Sequence, residues 1–185
     1  MANPEETLAS LQDLVDSYVD SVEVALNVFV QPQTPTAARK ALGGALNYVL
    51  DLLDIFPDHY KGIGVVDDAM LLRIAAKQAI AAGAQNAALE KLAASASVIG
   101  DILGGELADT LATYVERLPT RSVRGLNVEQ ILAEQHVTDT FANNVRRQVN
   151  DYRPALIDAS KGVDWILGEL RRMTRHELKK HDLGG

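Results

Sequence analysis

Residues 48–68 read YVLDLLDIFPDHYKGIGVVDD, and the parsing of this stretch decides how the chain folds. Pro57 lacks a backbone donor and biases the residue before it away from helix, so it ends one helix. Gly62 and Gly64 mark the turn, and Gly64 is expected to take a positive φ. Asp67 then stands as the N-cap of the next helix, which runs through Met70, Leu71, Ile74 and Ala75 to Gly83. Asp68 adds negative charge at the positive helix end. The expectation is a helix–turn–helix core.

Upstream, QPQTPT at 31–36 interrupts helical periodicity; Thr34 is the expected cap, and Pro35 the start, of a helix that reaches about Ile55. Gly43 and Gly44 inside it cost helix propensity, which points to close approach of a neighbouring helix. Residues 3–30 read as one long helix, with Asn3 as N-cap, Pro4 at the first turn and Glu5 and Glu6 at the positive end. Leu8, Leu11, Val15, Tyr18, Val22, Ala25 and Phe29 form a narrow apolar seam along it. The seam serves either the chain's own core or a coiled-coil contact with another chain.

Downstream, one helix passes through Leu89, Leu92 and Val98 to about Gly100, and another runs from about Glu106 to Leu118, where Pro119 stops it. Arg117, Arg121 and Arg124 place a small basic patch in and beside the loop PTRSVRG, suited to an acidic group or merely solvated. Asn127, followed by Glu129 and Gln130, opens a helix to about Asn150. Pro154 opens the last helix, which carries Leu156, Val163, Trp165, Ile166, Leu170, Met173 and Leu178. No fixed-period repeat occurs. The resulting expectation is an all-α fold, a helical bundle of about seven helices with a long C-terminal helical hairpin. Its parts are a helical domain over 1–118, a loop at 119–126 and the hairpin over 127–185.

Composition agrees. The chain has 185 residues, enough for a sizeable core, and its 47% hydrophobic content with 23% charge marks a globular protein. A formal charge of −7 argues against non-specific nucleic-acid binding, because phosphates repel an acidic surface. Cysteine is absent, which excludes disulfides and thiolate chemistry. The acidic start MANPEETLAS lacks a secretory pattern, and no apolar run reaches the roughly 18 residues of a spanning helix, so a cytoplasmic protein is expected.

The central stretch also resembles the YkvA-like family, a bacterial domain of unknown function, over about residues 42–77. The match rests on Tyr48, Asp54, Pro57, Asp58, Gly64, Asp67 and Asp68. Leu52 and Lys61 stand where that family has prolines. The family pattern implies that the helix before the turn breaks early; with Leu52 in place of proline it can instead continue to Ile55. The resemblance implies no activity.

Two chemical readings of the turn stand side by side. Asp54, Asp58, Asp67 and Asp68 are hard oxygen ligands of the kind Mg²⁺ or Ca²⁺ prefers, and a helix–turn–helix can gather them. The alternating spacing of a calcium loop is missing, however, and Tyr48, Pro57, Gly64 and Asp67 suffice for a purely structural motif that needs no cofactor. His176 and His181 are five apart in HELKKH, not the four that would put both rings on one helix face for zinc. No nucleophile elbow or phosphate loop is present.

Arg171, Arg172, Arg175, Lys179 and Lys180 give the last helix a charge opposite to that of the first, which has only acids. The two ends can therefore pair within one chain or between chains. An anionic membrane surface, with Trp165 and Ile166 as anchors, is disfavoured by the sparse apolar face beyond Met173. The favoured function is a non-enzymatic interaction or scaffold protein that self-associates or binds a protein partner. The alternative is a carboxylate-metal hydrolase centred on the Asp54–Asp68 turn.

Overall fold

The computed structural model describes residues 3–51, 55–56 and 62–183. Asp54, Pro57 and Asp58 lie outside these residues. Among the described residues the fold is all-helical, and the only β pairing is a single bridge between Val123 and Leu126.

The N-terminal region divides into α1 (Pro4–Asp16) and α2 (Tyr18–Phe29), so the long helix expected over 3–30 is interrupted at Ser17. Asn3 caps α1 as expected, accepting from the Glu5 amide. Ser17 has a distant partner. Ser17 donates its hydroxyl to the Asp13 carbonyl and accepts from Nη2 of the buried Arg73 at 2.8 Å. The seam lies inside the chain's own core: Leu11, Val15, Tyr18, Val22, Ala25 and Phe29 are buried and Leu8 is half-buried. Of the two readings of the seam, this burial favours the one in which it serves the chain's own core.

Helix α3 (Thr36–Tyr48) begins one residue later than expected and ends well before Ile55. Thr34 does not cap it; its hydroxyl donates to the Val28 carbonyl at 2.9 Å and fixes the preceding turn instead. The early break occurs although Leu52 stands in place of proline. Gly43 and Gly44 do permit close approach. A Cβ at Gly43 would lie 2.7 Å from the Phe29 ring and from Val128, and one at Gly44 would lie 2.9 Å from Pro119.

Helix α4 (Val66–Ala81) is the central element, buried on nearly all sides and packed on α3, α2, α1 and α7. It is followed by α5 (Ala87–Ala94), a 3₁₀ turn at Ser95–Ser97, α6 (Val98–Leu103) and α7 (Gly105–Arg117). A 3₁₀ turn at Leu118–Thr120 contains Pro119 and packs against α3. Arg124 and Gly125, both with positive φ, make the tight turn between Val123 and Leu126.

Asn127 and Gln130 form a reciprocal capping box that opens α8 (Val128–Ala133), and α9 (Gln135–Asn150) follows. Pro154 opens no helix. Residues 151–162 instead form a non-helical strap, and α10 (Val163–Lys180) starts only after Gly162. The expected C-terminal hairpin is not formed. Helix α9 packs on α8 and α2, whereas α10 packs on α7, α1 and α6. Buried residues from both sides of 119–126 join one hydrophobic core.

Candidate functional site

The start of α4 carries Asp67 and Asp68 into the interior, where their relative exposures are 1% and 9%. Asp67 is the second residue of the helix, and Val65 occupies the cap position without a side-chain cap bond. Its expected role as N-cap is thus corrected. The carboxylate turns back toward the preceding turn, where Oδ2 accepts from the Ile55 amide at 2.8 Å, the Phe56 amide at 3.2 Å and the Tyr48 hydroxyl at 3.0 Å. The Ile55 amide also donates to the Tyr48 hydroxyl oxygen at 2.7 Å. Tyr48, Asp67 and residues 55–56 therefore form a closed lock between the end of α3 and the start of α4.

Burial dominates the electrostatics of this lock. It raises the Asp67 carboxyl to about 6, against the opposing pull of the Phe56 amide, the Tyr48 hydroxyl and the amides of Asp68 and Ile55. Burial, then the neighbouring Asp67 and Asp68, holds the Tyr48 phenol well above its usual range. Asp67 Oδ1 is buried and has no hydrogen-bond partner among the described residues. Asp68 takes a different partner, accepting from the Tyr18 hydroxyl at 3.0 Å.

Only two members of the expected metal set, Asp67 and Asp68, lie among the described residues. Asp67 and Asp68 serve Tyr48 and Tyr18 respectively, Asp54 and Asp58 fall outside the described residues, and no group of three metal-ligating side chains occurs among the described residues. Gly64 does not have the expected positive φ. That conformation belongs to Gly62 (φ +86°), where a Cβ would also collide with the Ile157 backbone at 2.8 Å.

Sequence reasoning missed the residues around this lock. Arg121, read as part of a surface basic patch, points inward: it pairs with Asp51 at 2.6 Å, donates to the Tyr114 hydroxyl at 2.7 Å and lies 5.9 Å from the Tyr48 ring centre. Asn47 donates to the Leu126 carbonyl at 3.0 Å. Arg73 donates to the Ala69 carbonyl, and burial lowers its pKa despite the opposing field of Asp13. A lone cation in the apolar run AMLLRIAA was the available signal for a buried arginine.

The strap 151–162 covers one side of this region. Ile157 is buried, its amide donates to Gln12 Oε1 at 3.0 Å, and Gln12 Nε2 donates to the Ala155 carbonyl at 3.2 Å. Tyr152 meets Tyr18 edge to face, 5.1 Å between ring centres.

At the far end of α10 the basic residues divide. Arg171 donates to the Ile102 carbonyl at 2.8 Å, Arg172 pairs with Glu169 at 2.7 Å and Lys180 pairs with Glu177 at 2.6 Å. Among the described residues no salt bridge joins these cations to an acid of α1 or α2, although α10 packs on α1. Ile166 is buried and so is no membrane anchor, whereas Trp165 is 40% exposed. Among the described residues no helix is long and apolar enough to cross a membrane. Comparison of the chain with protein-family models, curated proteins and solved structures returned no match.

Proposed function

We propose that the chain is a non-enzymatic helical interaction or scaffold protein, acting in the cytoplasm by self-association or by binding a protein partner. The observation that carries this reading is the saturation of Asp67 Oδ2 by three donors from its own chain. A carboxylate committed to holding two helices together is an architectural group, and the YkvA-like resemblance is read in the same way. With the seam of α1 and α2 buried, association must use another surface. Leu156 on the strap is 85% exposed and Trp165 at the start of α10 is 40% exposed, and large apolar side chains in such positions suit a partner. Sedimentation at increasing protein concentration tests this, with Leu156→Glu and Trp165→Ala expected to weaken association. Monomer at every concentration, and no change in partner capture by either variant, would remove the reading.

The metal-dependent hydrolase remains a second reading because Asp67 Oδ1 is buried without a partner among the described residues. Calorimetric titration with Mg²⁺, Ca²⁺ and Mn²⁺ separates the two. Micromolar binding that Asp67→Asn abolishes would put this reading first.

A further inference from the structure

We propose that the pocket between the start of α7 and the end of α10 binds a small phosphorylated molecule with a short apolar body. The pocket has a volume of about 530 Å³, within the roughly 300–1,000 Å³ typical of small-molecule sites. Arg175 and Lys179 line it, one turn apart on the same face of α10. The allocation of charge along this helix singles them out. Arg171, Arg172 and Lys180 are held by a carbonyl or a carboxylate of the chain, while no ion pair among the described residues engages Arg175 or Lys179. The two uncommitted cations of the basic segment are thus the two that face the pocket.

The rest of the lining defines the ligand. Leu107, Leu178 and Leu183 are buried and form an apolar floor. A Cβ at Gly104 or Gly105 would meet nothing within 4 Å, so the mouth is open on that side. The first turn of α7 adds backbone N–H groups without intrahelical acceptors. Two cations with several further donors exceed what a carboxylate's two oxygens use and match the charge and three terminal oxygens of a phosphate monoester. Glu106 also lines the pocket and opposes any anion, which makes it a control of opposite sign.

The test is an NMR titration of the full chain, at fixed ionic strength, with n-hexyl phosphate, inorganic phosphate and hexanol. Hexyl phosphate should bind most tightly, about tenfold better than inorganic phosphate because its methylenes cover the leucines, with shifts confined to 103–110 and 175–183. Arg175→Ala and Lys179→Ala should each weaken it about tenfold, Glu106→Gln should strengthen it, and Lys180→Ala should leave it unchanged. The exposure of Arg175 and Lys179 makes unfolding an unsuitable explanation, and circular dichroism of each variant checks this. Equal binding of phosphate and hexyl phosphate, equal loss with Lys180→Ala, or equal response to a polyglutamate peptide would overturn the proposal.

Discussion

Asp67 and the pair Arg175–Lys179 are charged groups at opposite extremes of use. Asp67 is withdrawn from water at the α3–α4 junction, and its Oδ2 takes three donors from the chain itself. Arg175 and Lys179 stay in solvent beside a pocket, without ion pairs among the described residues, on a helix whose other cations are occupied. The contrast teaches where to look for function in a helical protein lacking catalytic motifs. Buried polar groups that satisfy one another specify the fold, and exposed charges left uncommitted remain available to a ligand.

If this division holds, Asp67→Ala should be the most damaging of the substitutions considered. It strands the Phe56 amide and the Tyr48 hydroxyl in the core and leaves the Ile55 amide only the Tyr48 oxygen, at a cost of about 3–5 kcal/mol in urea denaturation. Tyr48→Phe, which keeps the ring, should cost about half as much. A loss below about 1 kcal/mol for Asp67→Ala would erase the distinction between the two regions.

Acid titration sharpens the same point. The Asp67 carboxyl titrates at about 6 in the folded chain and near 3.9 when unfolded. Between these values the folded state holds a proton that the unfolded state has released. The contribution of this group to stability is therefore complete below about pH 4 and lost as the pH rises to about 6, a difference of roughly 2–3 kcal/mol. Comparing parent and Asp67→Asn across this window should show that extra decline in the parent alone; parallel profiles would contradict it.

Gly44→Ala should cost about 1–3 kcal/mol, because its methyl must enter space held by Pro119 and part of the obstacle is backbone. Gln12→Ala should cost about 1 kcal/mol and speed hydrogen exchange in residues 152–162 selectively, since it removes both side-chain bonds to the strap. At the small end, Arg175→Ala or Lys179→Ala should leave the thermal midpoint unchanged. A measurable drop would show these cations to be part of the scaffold.

Local chemistry accounts for what the sequence revealed. The Asn3 cap, the Asn127–Gln130 capping box and the close approach at Gly43–Gly44 all express themselves within a few residues or as a missing side chain. What escaped depends on distant partners. The seam of 3–30 continues through Ser17, and nothing nearby announces that this serine meets Arg73, which lies 56 positions away. Asp67 sits two residues past the cap position, and the amides it holds lie 11 and 12 residues upstream. Pro154 suits a helix start locally, but Ile157 and Gln12 hold the chain in a non-helical strap against α1. The α10 pocket was invisible for a related reason: a charge count cannot tell which of five cations already have partners.

The bonds from Gln12 to Ala155 and Ile157 span 143 and 145 residues. During synthesis α1 emerges long before the segment that covers it, so Val15 and Tyr18 must wait with part of their final surroundings missing until the strap is made. Closure between such distant segments is slow on entropic grounds, and partly enclosed apolar helices of this kind invite aggregation or chaperone capture. Emergence of the strap, and then of α10, which also packs on α1, therefore completes the surroundings of α1, and chains stalled before residue 152 should be far more sensitive to protease at α1 than chains extended past α10.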